Sequence, residues 1–219
     1  VNPGNNVLLP EPYFPLYGPD VGLWGGDPKF YECLFENEFV PTIEHLESLV
    51  DEKTVAILYN FPSNPTGATI TIEQRDELLA FAKRHNLWII TDEVYDRIVF
   101  DNDHVSFVGC DNERVILINS FSKTYAMTGW RIGYILSANK EAMSQMIKMQ
   151  YYITACSNDA MQYAVLAAIN EADDYPDEMC AEFKARRDLI CTRLNAMPGV
   201  QCHIPEGAFY VFPKVDVPG

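Results

Sequence analysis

Residues 54–95 read TVAILYNFPSNPTGATITIEQRDELLAFAKRHNLWIITDEVY, and this stretch decides the fold. Thr54–Tyr59 and Leu87–Thr91 are short apolar runs, as expected for strands that are buried on both faces. Between them, Thr71 opens a capping box and apolar residues follow at helical spacing, so we predict a helix over Thr71–His85. A strand, a helix and a second strand of this kind form the repeating unit of a parallel sheet covered by helices.

The same alternation extends to both sides of this stretch. We predict further strands at Val7–Leu9, Val115–Asn119 and Ile132–Leu136. We predict helices at Thr42–Val50, Asn139–Tyr152, Asn158–Asn170 and Asp173–Ala196. The polar residues 101–114 are expected to form a surface excursion. Pro198 and Gly199 end the last helix, after which Val200–His203 and Ala208–Phe212 are expected to form a hairpin.

These elements predict the α/β class, with a three-layer sandwich around a mostly parallel sheet. We expect residues 1–172 to form a large domain. Residues 173–219 are expected to contain a linking helix and the beginning of a small α+β domain. Both domains are expected to be incomplete.

The composition makes some partners improbable on physical grounds. The chain has 219 residues, of which 48% are hydrophobic, so it can form a sizeable core. Lys and Arg number 16 against 31 for Asp and Glu, which gives a net charge of −15. Nucleic acids and anionic membranes bind clustered cations, so we expect neither as a partner. No apolar run reaches the roughly 18 residues of a membrane span.

The cysteines indicate a reducing compartment. They form no Cys-x-x-Cys pair and have no histidines at zinc-finger spacing. The six are Cys33, Cys110, Cys156, Cys180, Cys191 and Cys202. A chain of this length and apolar content needs no disulfide framework, so we expect reduced and mostly buried thiols, no metal site and a cytoplasmic location.

Three polar clusters follow three predicted strands. Asn60–Gly67 follows the first, Asp92–Tyr95 the second and Ser120–Lys123 the third. Ligands bind beyond the carboxyl ends of the strands in an open parallel sheet, so the clusters are expected to meet at one edge. Each cluster also has a purely structural interpretation. Asp92 could cap a helix and Asn64–Gly67 could be only a turn.

The segment Ser120–Ile132 places Lys123 among apolar residues, with Arg131 eight positions later. An amine becomes a good nucleophile near neutral pH when burial or a nearby cation disfavours its ammonium form. A buried Lys123 would therefore be suited to covalent chemistry. The alternatives are a Lys123 that extends to solvent and an Arg131 in a surface ion pair.

Four motifs in chain order carry a resemblance to a known family. They are Asn-Pro-Thr-Gly at 64–67, Asp-Glu-Val-Tyr at 92–95, Ser-Phe-Ser-Lys at 120–123 and Thr-Gly-Trp-Arg-Ile-Gly at 128–133. Together they resemble the fold type I aminotransferases that depend on pyridoxal phosphate, and within them the class I/II family related to aspartate aminotransferase. The resemblance runs nearly from end to end. It implies the transferase fold, a homodimer, and an amino acid and a 2-oxo acid as substrates.

The resemblance implies a catalytic role for three residues. Lys123 resembles the lysine that forms a Schiff base with the cofactor and then moves the proton of the substrate. Asp92 resembles the carboxylate that keeps the pyridine nitrogen protonated. Tyr95, with Asn64, resembles the pair that hydrogen-bonds the 3′ oxygen of the cofactor.

The resemblance also implies contacts with the phosphate and with the pyridine ring of the cofactor. Ser120 and Arg131 resemble the ligands of its phosphate, since a hydroxyl and a guanidinium suit a dianion. Phe14 falls where the family has an aromatic ring stacked on the pyridine, and Tyr13 is the competing candidate. Tyr17 is expected to support Asp92 from behind.

The family pattern is longer at both ends than this sequence. The loop that binds phosphate through backbone amides, a tyrosine from the partner subunit and the arginine that binds the substrate carboxylate have no counterpart here. We therefore expect a fragment or a truncated aminotransferase, with impaired turnover.

Three other functions are alternatives to that of an aminotransferase. A lyase that uses the same cofactor and scaffold and a ligand-sensing module without catalysis remain alternatives. A serine acylase is rejected, because Ser120 and Lys123 lack its companion motifs.

Overall fold

The computed structural model describes residues 1–110, 113–172 and 174–216. The strands of the main sheet are β1 Asn6–Glu11, β2 Asp27–Glu32, β3 Thr54–Asn60, β4 Trp88–Asp92, β5 Val115–Ser120 and β6 Gly133–Leu136. Their order in the sheet is β2-β1-β3-β4-β5-β6. All neighbouring strands run parallel except β6, which is antiparallel to β5. The predicted α/β class with a mostly parallel sheet is confirmed.

Seven α-helices lie within the described residues. They are α1 Tyr17–Leu23, α2 Ile43–Leu49, α3 Ile72–Arg84, α4 Phe121–Thr124, α5 Lys140–Thr154, α6 Asp159–Glu171 and α7 Tyr175–Asn195. The predicted capping box at Thr71 is present at the start of α3. Asn139 and Asn158 cap α5 and α6 through their side chains. The last predicted helix is observed from Tyr175, and its predicted first residue, Asp173, lies outside the described residues.

The core lies on both faces of β1, β3 and β4. On one face, Leu8, Ile57 and Ile89 pack with buried residues of α2 and α3. On the other face, Val7, Ala56 and their neighbours pack with α1. Alternate residues of each strand therefore point into different layers, which produces the predicted three-layer sandwich.

Helix α1 and strand β2 were not predicted from the sequence. The sequence of α1, YGPDVGL, contains two glycines and a proline, which are poor helix formers. In β2, which is an edge strand, only Tyr31 is buried and Pro28 interrupts the pattern. Tertiary packing onto β1 therefore decides these two elements rather than local preference.

The predicted hairpin is wrong in its second strand. Val200–Gln201 (β7) pairs with Lys214–Val215 (β8), and residues 208–212 form no strand. Ala208 has a positive φ of 55°, and its N–H donates to the carbonyl of Ile98 at 2.8 Å. The segment that begins at Ala208 therefore packs against the residues after β4 instead of continuing the hairpin.

Two smaller expectations also need correction. Phe107 is fully buried, so the described part of residues 101–114 is not simply a surface excursion. All six cysteines are free, as predicted, but only Cys33, Cys191 and Cys202 are buried, and Cys156 is exposed. The reason is that Cys156 follows α5, a helix with no buried residue.

Candidate active site

The carboxyl ends of β3, β4 and β5 meet at one edge of the sheet. In the register of the sheet, Asn60 lies opposite Asp92, and Asp92 lies opposite Ile118. The polar residues after these strands are therefore brought together, because neighbouring parallel strands end side by side.

Asp92 ends β4 and is held from two directions. Its Oδ2 accepts a hydrogen bond from the Tyr17 hydroxyl at 2.7 Å, and its Oδ1 accepts one from the Val94 N–H at 3.2 Å. The Tyr17 contact is the one that the resemblance implied. Burial raises the pKa of Asp92, while the two hydrogen bonds and the charge of Lys123 oppose this increase. A carboxylate in this position is stabilised further by a cation placed opposite it.

Hydrogen bonds connect Tyr95 to Tyr210 and connect Asn64, through Asn60, to Asp92. The Tyr95 hydroxyl is 2.7 Å from the Tyr210 hydroxyl, and the residue is only 2% exposed. Burial raises the pKa of Tyr95, whereas a hydrogen bond with the Asn64 side chain lowers it. Either hydroxyl of the Tyr95–Tyr210 pair can be the donor. The backbone N–H of Asn64 donates to Asn60 Oδ1, and Asn60 Nδ2 donates to the Asp92 carbonyl. Asn60 thus connects the Asn64 turn to the end of β4.

The Asn64–Gly67 segment is also a turn, as its structural interpretation predicted. The Gly67 N–H donates to the Ser63 carbonyl at 2.9 Å, and Gly67 has a φ of 74°. A Cβ on Gly67 would lie 2.4 Å from the Cβ of Pro205. Only glycine therefore allows this turn to approach the segment that begins at Pro205.

Lys123 lies in α4 and is half-buried rather than fully buried. Its Nζ is 5.6 Å from the centre of the Tyr95 ring and 5.3 Å from that of Phe209. Burial and the charge of Arg131 lower the pKa of Lys123, and the charge of Asp92 partly offsets this effect. The neutral, nucleophilic amine is therefore favoured relative to an exposed lysine.

Ser120 and Arg131 line an open cavity of about 670 Å³ between β5, β6 and α5. The Ser120 Oγ accepts a hydrogen bond from the Ser122 N–H, which leaves its own proton available. Arg131 is exposed and donates to the Thr128 carbonyl at 3.0 Å. Among the described residues, Arg131 forms no ion pair within 4.0 Å. Both side chains can therefore bind an anion.

The structure distinguishes the two aromatic candidates before α1. The Phe14 ring meets the Tyr17 ring edge-on at 5.5 Å, beside the hydroxyl that bonds Asp92. The Tyr13 ring instead stacks on Phe30 at 4.9 Å. Phe14 is therefore connected to Asp92 through Tyr17, whereas Tyr13 packs on β2.

Three residues at the site were not assigned from the sequence: Asn60, Tyr210 and Glu93. Glu93 is 2% exposed and accepts hydrogen bonds from Thr91 Oγ1 and the Phe107 N–H, each at 3.0 Å. Its Oε2 is 2.8 Å from His104 Nε2. Glu93 lies in the motif at 92–95 and Tyr210 in the predicted strand Ala208–Phe212, but their partners lie 11 and 115 positions away along the chain. No local spacing indicates such contacts.

The described ranges contain neither a candidate metal site nor a candidate membrane-spanning helix. No group of three or more His, Cys, Asp or Glu residues in residues 1–110, 113–172 and 174–216 could hold a metal ion. In those same ranges, no helix has both the length and the apolar character needed to cross a membrane.

Comparison with known proteins identifies the family. Residues 1–218 match the family described as aminotransferase class I and II. An aspartate aminotransferase of Pyrococcus abyssi is 40% identical over 97% of this chain and 55% of its own length. An aromatic-amino-acid aminotransferase of Thermococcus litoralis is 41% identical over 95% of this chain and 54% of its own length.

A solved structure shows the same similarity in three dimensions. The alanine aminotransferase from Pyrococcus furiosus superposes with a TM-score of 0.94 and 34% identity, covering 100% of this chain and 57% of that one. The chain thus spans about half the length of the relatives that it matches. The family match and the matching fold agree with the four motifs, and the chain belongs to the class I and II aminotransferase family.

Proposed function

We propose that this chain is the cofactor-binding part of an aminotransferase that moves an amino group between an amino acid and a 2-oxo acid. The observation that carries the proposal is the environment of Lys123. Its Nζ lies over the Tyr95 and Phe209 rings. Burial and the charge of Arg131 lower the pKa of this amine, while the charge of the half-buried Asp92 partly offsets this effect. A covalent aldehyde cofactor needs a nucleophilic amine together with a counter-charge for its ring.

The donors and acceptors of the site fit pyridoxal phosphate. Asp92 would pair with the ring nitrogen, Asn64 and Tyr95 would hydrogen-bond the 3′ oxygen, and Phe14 would stack on the ring. Ser120 and Arg131 would bind the phosphate. When bound, the cofactor supplies an electron sink for the carbanion that forms at the substrate.

The protein residues would supply the proton chemistry. The Lys123 amine would take a proton from the substrate and return it, which requires an amine that is neutral near pH 7. The fixed Asp92 carboxylate would hold the positive charge of the ring without rearrangement, because Tyr17 and the Val94 amide already orient it.

We also propose that the chain has two domains and forms a homodimer. Residues 1–172 would form the cofactor-binding domain, and residues 173–219 the linking helix and the beginning of a small domain. Exposed apolar side chains on α5 and α6, among them Tyr151 and Tyr163, are compatible with a homodimer. The three relatives have names that refer to different amino acids, so the side chain of the substrate stays unspecified.

The test is an absorbance titration with pyridoxal phosphate. After free cofactor is removed by gel filtration, we expect the chain to show a band at about 360–430 nm. Borohydride should abolish this band, because it reduces the C=N bond and leaves the cofactor covalently attached. Lys123→Ala should lose the band, whereas Lys148→Ala, which changes an exposed lysine of α5, should keep it. Mass spectrometry should find the reduced cofactor on the peptide that contains Lys123. A band that persists in Lys123→Ala, or one absent from the unmodified chain, would refute the proposal.

A further inference from the structure

Tyr210 lies beside the candidate active site although it comes from the far end of the chain. Its hydroxyl is 2.7 Å from the Tyr95 hydroxyl, and the two rings meet edge-on at 5.7 Å. Tyr210 is half-buried and packs against a cluster that contains Tyr95, Ile98 and Ala208. The contact joins the segment after β7 to the residues after β4.

Backbone hydrogen bonds hold the segment that carries Tyr210. The Ala208 N–H donates to the Ile98 carbonyl at 2.8 Å, and the Gly207 N–H donates to the Gly67 carbonyl at 3.0 Å. The Phe100 N–H donates to the Glu206 carbonyl at 2.9 Å. Tyr210 is therefore anchored to the Asn64–Gly67 turn and to the segment after Tyr95 at the same time.

A phenol has one proton and two acceptor positions. If the Tyr95 proton is used for a hydrogen bond to the cofactor, Tyr95 cannot also donate to Tyr210. Tyr210 must then be the donor of the pair. A hydroxyl that accepts a hydrogen bond becomes a stronger donor itself, because such chains polarise one another.

We propose that Tyr210 is a positioning residue, which donates to the Tyr95 hydroxyl and thereby directs the Tyr95 proton towards the 3′ oxygen of the cofactor. This inference rests on the proposed function. Tyr210 would act through Tyr95 and would not touch the reacting atoms. It would also make the orientation of Tyr95 depend on the docking of the segment that begins at Pro205.

The test measures the pH at which the visible band of the bound cofactor changes. Tyr210→Phe removes one hydroxyl and keeps the ring, so Tyr95 becomes a weaker donor to the 3′ oxygen. The anionic oxygen is then less stabilised and holds the shared proton more tightly. We expect the midpoint of the spectral change to rise by about 0.3–1 pH unit. Tyr95→Phe should raise it further.

A double-mutant cycle separates action through Tyr95 from a general effect. In the Tyr95→Phe background, Tyr210→Phe should produce no additional shift. Tyr175→Phe, at the exposed start of α7, is the matched control and should leave the midpoint unchanged. Circular dichroism and thermal unfolding of each variant check that the fold is retained.

The outcomes distinguish this inference from the proposed function. If the unmodified chain shows no band that depends on Lys123, the proposed function fails. If that band forms but Tyr210→Phe leaves its midpoint unchanged or lowers it, the inference about Tyr210 fails alone. An equal upward shift in both backgrounds would also overturn the inference, because Tyr210 would then act independently of Tyr95.

Discussion

The two halves of the sheet differ in how completely they are covered. Buried side chains pack on both faces of β1, β3 and β4, against α1 on one side and α2 and α3 on the other. Beyond β5, all four residues of β6 are exposed and α5 has no buried residue. The exposed large apolar residues of this second half include Ile135, Leu136, Ile147, Tyr151, Tyr163 and Leu166.

The candidate active site lies across the boundary between these halves. Asp92 and Tyr95 belong to the covered half and already have hydrogen-bond partners. Ser120 and Arg131 belong to the open half and line a cavity. The protein therefore preorganises the part of the site that, under the proposed function, would hold the ring of the cofactor, whereas the anion-binding part stays accessible.

The largest expected effect contrasts one residue from each half. Phe81 of α3 is fully buried, and Ile147 of α5 is 64% exposed. Phe81→Ala should lower the free energy of unfolding by about 3–5 kcal/mol through lost burial and a new cavity. Ile147→Ala should change the free energy of unfolding of the monomer by less than about 0.5 kcal/mol, because α5 is exposed within one chain. Urea denaturation followed by circular dichroism measures both.

The same pair of variants tests whether the second half stays exposed in solution. A loss for Ile147→Ala that approaches the loss for Phe81→Ala would contradict the exposure of α5 and show that another surface covers it. Repeating the denaturation at several protein concentrations identifies that surface. A second copy of the chain makes the transition depend on concentration, whereas coverage within the chain does not.

A smaller loss in the free energy of unfolding is expected for a change at Glu93, the buried residue next to Asp92. Burial raises the pKa of Glu93, but hydrogen bonds from His104, Ser106 and the Phe107 amide lower it below its ordinary value overall. A lowered carboxyl pKa adds stability above the ordinary value of about 4.3, and this stability is lost as the pH falls through the lowered pKa. Glu93→Gln should therefore cost about 1–3 kcal/mol near pH 7 and flatten the acid side of the stability profile.

The control for Glu93 is a carboxylate of the open half. Glu141 is exposed in the first turn of α5, and Glu141→Gln should leave the acid side of the profile almost unchanged. Denaturation midpoints measured between pH 3 and pH 7 give both profiles. If Glu93→Gln and Glu141→Gln had the same profile, the buried network around Glu93 would not stabilise the fold.

The covered half was also the more predictable half. The strands beginning at Val7, Thr54 and Leu87 have apolar runs that follow directly from burial on two faces, and the capping box at Thr71 fixes the start of α3. By contrast, β2 and the strand after Pro213 depend on pairing with distant segments. The sequence therefore indicated five strands of the sheet but misplaced the partner of β7.

The same distinction holds for the candidate site. Lys123, Asp92 and Asn64 follow strands, so their proximity could be predicted from the rule that ligands bind at the carboxyl ends. Tyr210 could not be predicted, because its contact with Tyr95 depends on how the segment after β7 docks against Ile98 and Gly67. Long-range docking leaves no periodic pattern in the sequence.

The smallest expected effect is the change in the pKa of Lys123 when one of the two charges that act on it, Arg131 or Asp92, is removed. Burial is the main cause of its lowered pKa, and the Arg131 charge adds to it from the open half. Arg131→Gln should raise the pKa of Lys123, because a nearby cation no longer opposes protonation. Asp92→Asn should lower it, because an anion that favours the ammonium form is lost. Arg186→Gln, on the exposed face of α7, is the control.

Acylation of Lys123 as a function of pH, quantified on its peptide by mass spectrometry, reports the neutral amine directly. The Arg131→Gln midpoint should move to higher pH, and the difference from the unmodified chain should shrink in 1 M salt, since Arg131 is exposed and screened. The Asp92→Asn shift should be less sensitive to salt, since Asp92 is half-buried. If salt reduced both pKa shifts of Lys123 equally, Arg131 and Asp92 would be equally exposed to solvent. That result would contradict the difference between the open and the covered half.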